Sequence, residues 1–283
     1  MPVSLPPALE LSLDLLCCPT CRTRHLHPDR GALRCPVGHS FDIARHGYAG
    51  LLTGTRATSG DDAAMVQARD RFLATGAYAP LRAVGARLAA DAVPGQATVV
   101  DVGCGTGYYL AGVLDQLSGA RGLGLDTSVR ALRSAARAHD RAAAVAWDVF
   151  RPFPLADGVA DVVLNVFAPR NPAEFHRILR PTGRLIVVRP TGWHLAELRG
   201  PLPAMVTIDP VKEQRLHRAL DPFFETAVTE QVEYPAILSR RDVLDLVAMT
   251  PSARHVSRAD LNDDGFLPDR VTVSVLATAY RPR

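Results

Sequence analysis

Four residues near the start of the chain have the types and the spacing of a metal site. Cys18 and Cys21 are separated by two residues, and thirteen residues later Cys35 begins a second pair that ends at His39. Each pair contains Pro or Gly, which favours a tight turn, so a hairpin can bring the two pairs together. Thiolate and imidazole suit Zn²⁺, and four protein ligands leave no coordination position open, so the expected zinc is structural.

Neighbouring residues compete for this role. Cys17 leaves a gap of three residues to Cys21, and for that reason Cys18 is the preferred ligand. His25 and His27 fall in the connecting loop and are expected to face solvent. A disulfide framework is disfavoured, because four of the five cysteines lie in this one segment and a reducing compartment is expected.

A second candidate site follows a β-branched run. Residues 99–107 read VVDVGCGTG, which predicts a buried strand, a glycine turn and the start of a helix. A dinucleotide fingerprint requires a third glycine where Tyr108 stands, and a phosphate loop requires a lysine that the turn lacks. The remaining pattern, D-x-G-x-G-x-G, is that of enzymes that use S-adenosylmethionine (SAM). Its members here are Asp101, Gly103, Gly105 and Gly107.

Two further carboxylates follow the next two predicted strands. Asp126 is placed to accept hydrogen bonds from both ribose hydroxyls, and Asp148 is placed to accept one from the adenine amino group. Either residue alone is more simply a turn residue at a strand end. Three aspartates at three consecutive strand ends favour a cofactor site.

Alternating segments must position these side chains. Strands are predicted at 98–102, 121–125, 143–147, 161–166 and 184–188, and helices at 107–117, 128–139 and 172–179. This alternation predicts an α/β fold with a doubly wound, mostly parallel sheet. A helix is also expected from residue 63 to about residue 76, and segments 231–238 and 271–279 suggest an antiparallel edge.

The domain organisation follows from composition. Residues 1–52 are assigned to an N-terminal leader and a zinc-binding module, 53–62 to a linker and 63–283 to the catalytic domain. The module is too short to bury an adequate core without a metal staple. Residues 1–16 are rich in Pro and Leu and are interpreted as a leader or an added strand.

The whole chain has 283 residues, 47% hydrophobic and 22% charged, which excludes a disordered or fibrous protein. Its net charge of +3 permits a polyanionic partner without requiring one. Lys212 is the only lysine, and this Arg bias is more typical of a GC-rich genome than of a binding function. No apolar run approaches ~20 residues and residues 1–16 lack a basic start, so we expect a cytoplasmic protein with no membrane partner. Whether the chain forms a homodimer is left open.

Several motifs together resemble one family. The four proposed zinc ligands, FDIARHGY at 41–48, DVGCGTGYY at 101–109, VFAP at 166–169 and MTP at 249–251 resemble the bacterial 23S rRNA (guanine-N1)-methyltransferases, from about residue 17 to residue 280. NVFAPRN at 165–171 is most similar to the actinobacterial macrolide (tylosin)-resistance branch. The resemblance implies a Rossmann-like class I SAM-dependent methyltransferase, preceded by a zinc-ribbon-like module that helps to grip RNA.

The same resemblance implies a substrate and further site residues. The substrate would be a guanine in a hairpin loop of domain II of 23S rRNA, near the macrolide site, with macrolide resistance as a consequence. Tyr78, Gly105, Thr106 and His194 match positions that contact the cofactor in this family. The extended N-terminus and the Arg-His pair before Gly47 depart from the family pattern, which leaves the RNA contacts of that loop open.

Three residues after the fourth strand are candidates for the methyl-transfer step. Asn165 is expected to face the methyl group and to read a base edge, Phe167 to stack on an extruded base, and Arg170 to hold a phosphate or to stabilise negative charge on guanine O6. No general base is evident. The absence of Asn-Pro-Pro-Tyr/Phe at this position argues against methylation of an exocyclic amine. Two alternatives stay open: a small-molecule SAM methyltransferase, and an inactive zinc-module RNA-binding protein.

Overall fold

The computed structural model describes residues 5–54, 60–93, 95–202, 205, 218–254 and 267–283. The middle of the predicted linker, residues 55–59, and the first four residues of the predicted leader lie outside this described part. In the described ranges, no helix is long and apolar enough to cross a membrane.

The N-terminal module is a small antiparallel sheet preceded by helical turns. Helix α1 (Pro7–Glu10) and a 3-10 turn (Leu13–Leu15) lead into strands β1 (His27–Asp29), β2 (Ala32–Arg34) and β3 (Ser40–Asp42), in the order β1-β2-β3. Of the two interpretations given for residues 1–16, an added strand is not what the described residues show, because Pro7–Glu10 and Leu13–Leu15 form helical turns and only Leu16 makes a β-bridge, to Leu155. Leu9, Leu15 and Leu16 are buried, so this segment packs into the core.

The catalytic domain is built on a seven-stranded sheet. Its strands are β4 (Thr98–Val102), β5 (Arg121–Asp126), β6 (Ala142–Ala146), β7 (Ala160–Val166), β8 (Leu179–Pro190), β9 (Phe224–Ile237) and β10 (Arg270–Pro282). Their order is β6-β5-β4-β7-β8-β10-β9; neighbours from β6 to β8 are parallel, and β10 is antiparallel to both β8 and β9. The predicted doubly wound, mostly parallel sheet with an antiparallel edge is confirmed.

The helices in the described residues of this domain are α2 (Ala63–Ala74), α3 (Ala79–Ala90), α4 (Tyr108–Gln116), α5 (Val129–Ala135), α6 (Pro172–Ile178) and α7 (Arg240–Ala248). Side-chain caps fix several of their starts, because the first backbone N–H groups of a helix lack internal partners. The Asp62 side chain accepts from the Met65 N–H at the start of α2, and Ser239 with Asp242 forms a capping box at α7. Sequence reasoning did not predict α3 or α7.

The module and the catalytic sheet share one hydrophobic core. Leu33 and Phe41 of the module lie in the same buried cluster as Val100 and Leu123 of the sheet. Backbone pairing adds to this packing, since the Ala49 N–H donates to the Ala144 carbonyl at 3.0 Å and the Ala49 carbonyl accepts from the Ala146 N–H at 2.8 Å. The two predicted domains are thus packed as one body along the outer side of β6.

The order of the strands positions the candidate site. Chain connections run from β4 outwards to β5 and β6, and then cross to β7 and β8 on the other side of β4. In open α/β sheets, ligands bind at such a reversal, at the carboxyl ends of the strands. The end of β4 carries the glycine turn, and the end of β7 carries the segment from Phe167 to Arg170.

Candidate active site and zinc site

The four predicted metal ligands meet at one point. The ligand atoms of Cys18, Cys21, Cys35 and His39 all lie within 4.8 Å of one another. Cys21 Sγ lies 3.8 Å from Cys35 Sγ, while His39 Nδ1 lies 3.6 Å from Cys18 Sγ and 3.3 Å from Cys35 Sγ. A tetrahedral zinc with Zn–S bonds near 2.3 Å requires ligand separations of roughly 3.8 Å, so the cluster fits the ion.

The competing residues lie elsewhere. Cys17 is buried outside the cluster, and its N–H donates to the Pro154 carbonyl at 2.9 Å, which fixes it against the catalytic domain. His25 and His27 are exposed in the module.

A cavity of about 790 Å³ lies at the carboxyl ends of the parallel strands. A cavity of this size can hold a cofactor with part of a substrate. Nine of the predicted site residues line it: Tyr78, Gly103, Gly105, Thr106, Asp126, Asp148, Phe167, Arg170 and His194. Asp101, Gly107 and Asn165 do not line it.

The glycine turn is shaped for close approach of a ligand. Gly103 has φ +80°, and a Cβ there would lie 2.4 Å from Ala168 Cβ, so the chain after β7 can approach the turn only because Gly103 has no side chain. The Gly103 N–H donates to the Leu125 carbonyl at 2.8 Å and holds the turn against β5.

Asp101 is a buried carboxyl group beside this turn. It is 1% exposed, and its Oδ2 has no hydrogen-bond partner among the described residues. Burial, with a contribution from the Asp126 charge, raises the pKa of Asp101 to about 8. Asp101 does not itself line the cavity, but the next two residues, Val102 and Gly103, do. A buried polar atom without a partner needs a donor, and the ammonium group of SAM bound at this turn is such a donor.

Asp126 faces the cavity from the end of β5. Its Oδ2 accepts from the Gly105 N–H and its Oδ1 from the Ser128 N–H, both at 2.8 Å. Burial raises its pKa, and these two hydrogen bonds oppose the rise. Each oxygen keeps a further lone pair for a ribose hydroxyl, so the geometry fits the predicted role. Asp148 lies at the next strand end and accepts from the Phe150 N–H at 3.0 Å.

Three rings form one wall of the cavity. The Phe167 and His194 rings are stacked at 5.7 Å between centroids, and Tyr78 Oη lies 3.3 Å from His194 Nε2. The Ser274 N–H donates to His194 Nδ1 at 3.2 Å, so the proton of the neutral ring is on Nε2 and is donated to Tyr78. Burial, assisted by the charge of Arg199, lowers the pKa of His194 to about 4, which keeps the ring neutral at physiological pH.

Asn165 lies behind the residues that line the cavity, and its buried Oδ1 has no hydrogen-bond partner among the described residues. It is 0% exposed, and its Nδ2 donates to the carbonyl groups of Val102 and Pro169, each at 3.0 Å. With both amide hydrogens used, no donor is left to read a base edge, which does not agree with the expectation from the sequence. Asn165 instead ties the end of β4 to the segment that carries Phe167 and Arg170.

Arg170 brings positive charge to the cavity wall from the segment that follows β7. Burial lowers the pKa of its guanidinium, and the neighbouring positive charge of Arg189 lowers it further. Both residues line the cavity. Among the described residues, no ion pair joins Arg170 to a carboxylate, so this part of the cavity is suited to an anionic group.

Comparisons with known proteins agree with this geometry. A zinc-ribbon family model described as "RlmA, N-terminal" matches residues 16–56, and one described as "Methyltransferase domain" matches residues 99–183. A 23S rRNA (guanine(748)-N(1))-methyltransferase of Streptomyces fradiae is 43% identical over 270 residues, covering 94% of this chain and 96% of the relative. The chain belongs to the 23S rRNA (guanine-N1)-methyltransferase family.

Two further members of this family are similar along most of their length. A Micromonospora griseorubida protein, provisionally assigned as a 23S rRNA (guanine-N1)-methyltransferase, is 46% identical over 95% of this chain and 98% of its own. A Bacillus subtilis protein with the same provisional assignment is 33% identical over 83% of this chain and 86% of its own.

Sequence reasoning missed three arginines that line the cavity: Arg69, Arg189 and Arg199. Arg189 ends β8 in the sequence VVRP, and the rule that ligands lie at strand ends was sufficient to find it. Arg69 reaches the cavity from α2, pairs with Asp61 and donates to the Met249 carbonyl at 2.8 Å. No local signal marks Arg69, because its partners are brought to it by the fold.

Proposed function

We propose that this protein transfers the methyl group of SAM to N1 of a guanine in 23S rRNA. The observation that carries the proposal is that one cavity joins the SAM-type glycine turn to a wall of rings and arginines. The Streptomyces fradiae relative is named for guanine 748, and we take that base as the first position to test. A location in a hairpin loop of domain II, and macrolide resistance as its consequence, belong to the same proposal.

The cofactor half of the cavity is assigned to the glycine turn and the strand-end carboxylates. SAM supplies an electrophilic methyl group. We assign Asp101 to its ammonium group, Asp126 to the ribose hydroxyls and Asp148 to the adenine amino group, with Tyr78 and His194 closing the side that faces the substrate. The zinc held by the N-terminal cysteines and His39 has a structural role.

The substrate half begins at Phe167. Its ring is 39% exposed, and its backbone has φ +51°, a conformation that non-glycine residues rarely adopt outside functional sites. This backbone holds the ring at the cavity wall against His194. A guanine extruded from its loop can stack on such a ring, as flipped bases commonly do.

Removal of the N1 proton requires help from the cavity. His194 cannot accept it at Nε2, because that nitrogen already carries a proton while Nδ1 is bonded to Ser274. We assign Arg170 to the O6 side of the guanine, where its charge favours the anion left by proton loss. The enzyme then orients the base and makes N1 more acidic, and the N1 proton passes to a water molecule that reaches the cavity.

The test is methyl transfer to a defined RNA. Purified protein is incubated with methyl-labelled SAM and a transcript of the domain II hairpin containing guanine 748, and the modified base is mapped by primer extension. We expect one stop at that guanine and no incorporation when it is replaced by adenine. Incorporation only into small metabolites would support the alternative methyltransferase, and failure to bind SAM in calorimetry would support the inactive RNA-binding protein.

A further inference from the structure

One tryptophan, Trp193, is exposed between residues that line the cavity, although it does not itself line it. The chain has two tryptophans, of which Trp147 is 5% exposed and Trp193 is 69% exposed. Tryptophan is highly buried on average, because leaving its large apolar ring in water costs free energy. Nothing in the proposed cofactor site uses the Trp193 ring.

The turn that carries Trp193 is held rigidly. Thr191 Oγ1 and Ser274 Oγ lie 2.6 Å apart, and the Thr191 N–H donates to the Ser274 carbonyl at 3.0 Å. From the other side, Arg199 Nη2 donates to the carbonyls of Gly192 at 2.6 Å and His194 at 3.2 Å. The backbone is therefore fixed on both sides of the exposed Trp193 ring. A ring held in this way loses little conformational entropy when a partner binds to it.

The surroundings indicate the chemistry of that partner. Thr191, Gly192 and His194, which flank Trp193 in the chain, all line the cavity, and so do Arg189 and Arg199. An exposed aromatic ring beside guanidinium groups is the arrangement with which proteins bind single-stranded nucleic acid, since bases stack on the ring and phosphates meet the cations.

We propose that Trp193 stacks on a nucleotide next to the target guanine and so holds the loop open at the cavity mouth. This inference rests on the proposed function and deepens it: Phe167 receives the reacting base, and Trp193 receives a neighbour. Stacking tolerates any base, so Trp193 contributes affinity for an opened RNA loop and does not select the sequence.

Phe150 offers a matched control. It is 68% exposed and follows Asp148 at the end of β6, on the same edge of the sheet as Trp193. β6 and β8 are separated by three strands, so the strand ends that the two residues follow lie roughly 19 Å apart, given about 4.8 Å between strands. Phe150 therefore lies at the cofactor end, away from the proposed RNA loop.

The experiment compares Trp193→Ala, Trp193→Phe and Phe150→Ala in equilibrium binding to the domain II hairpin. We expect Trp193→Ala to raise the RNA Kd about tenfold, equivalent to about 1.4 kcal/mol. Trp193→Phe keeps a ring and should stay within about threefold of the wild type, and Phe150→Ala should bind RNA as the wild type does. In Trp193→Ala, we expect the SAM Kd to be unchanged, which verifies the fold, and the RNA KM to rise with kcat nearly constant.

Fluorescence gives a second readout that does not depend on catalysis. RNA should quench the emission of the wild-type protein, and most of this quenching should disappear in Trp193→Phe, where Trp147, which lines the cavity, is the only tryptophan left. Unchanged RNA affinity in Trp193→Ala, or quenching as strong in Trp193→Phe as in the wild type, would overturn the inference. If the inference about Trp193 is overturned but the wild-type protein methylates the RNA, the proposed function stands. If the wild-type protein neither binds nor methylates the RNA, the inference and the proposed function are both wrong.

Discussion

Binding of SAM next to Asp101 should release protons from this carboxyl group, and the number released can be measured. With a pKa of about 8, this carboxyl group holds its proton in about ten of every eleven molecules at pH 7. A cationic ammonium placed beside it favours the ionised form and lowers the pKa by several units. Binding of SAM at pH 7 should therefore release about 0.9 proton from this group.

The same ionisation sets the pH dependence of affinity. Binding must first ionise Asp101, so the apparent Kd scales with one plus the protonated-to-ionised ratio and should rise about ninefold between pH 7 and pH 6. Asp101→Asn has no proton to lose. Its Kd for SAM should be higher than that of the wild type at pH 7, because a charge-assisted hydrogen bond is lost. This Kd should also change less with pH.

The measurement is calorimetry at pH 7 in two buffers with different ionisation enthalpies. The difference between wild type and Asp101→Asn cancels any protons exchanged by the cofactor's own amino group. Equal proton release by the two proteins, or a wild-type enthalpy that does not depend on the buffer, would refute the assignment of Asp101 to the ammonium group.

Other changes test the glycine turn, the metal and the arginine. Gly103→Ala should lower the free energy of unfolding by roughly 3 kcal/mol in denaturant titration, because its φ is +80° and its Cβ would lie 2.4 Å from Ala168 Cβ. The control Gly158→Ala has φ +60° and no atom within 4 Å, and should lower the free energy of unfolding by only about 1 kcal/mol. Removal of zinc by a chelator, or Cys35→Ser, should lower the Tm of the whole protein in one transition, whereas a separate early transition would contradict the shared core. Arg170→Gln should lower kcat about 100-fold and make the rate rise more steeply with pH, with Arg170→Lys in between; an unchanged pH profile would exclude its action on O6.

The sheet could be predicted from the sequence to within a residue or two at most strand ends. Runs such as TVVDV at 98–102 are β-branched and lie next to turn residues, so local chemistry and tertiary environment agree. α3 was missed because APLRAVGARLAA contains glycine and many alanines, which blur the apolar face that identifies a helix. Its position follows from packing against α4 and the sheet.

The residues of the candidate site also fall into two groups, those that the sequence predicted and those that it did not. Gly103 and Asp126 were found because backbone geometry and strand ends leave a trace in the local sequence. The orientation of Asn165 was not predictable, since it depends on two carbonyl groups, those of Val102 and Pro169, that only the folded chain brings within reach. Trp193 gave no local signal either, because its exposure is a property of the whole surface.

The pairing of Ala49 with β6 has a consequence for solubility. β6 is the last strand on its side of the sheet, and an uncovered edge strand exposes N–H and C=O groups that can recruit another chain. The segment that follows the zinc ligands covers part of that edge by bonding to Ala144 and Ala146. If loss of zinc frees this segment, β6 becomes an uncovered edge strand. In a cell short of zinc, the protein should then lose its activity and also aggregate edge to edge.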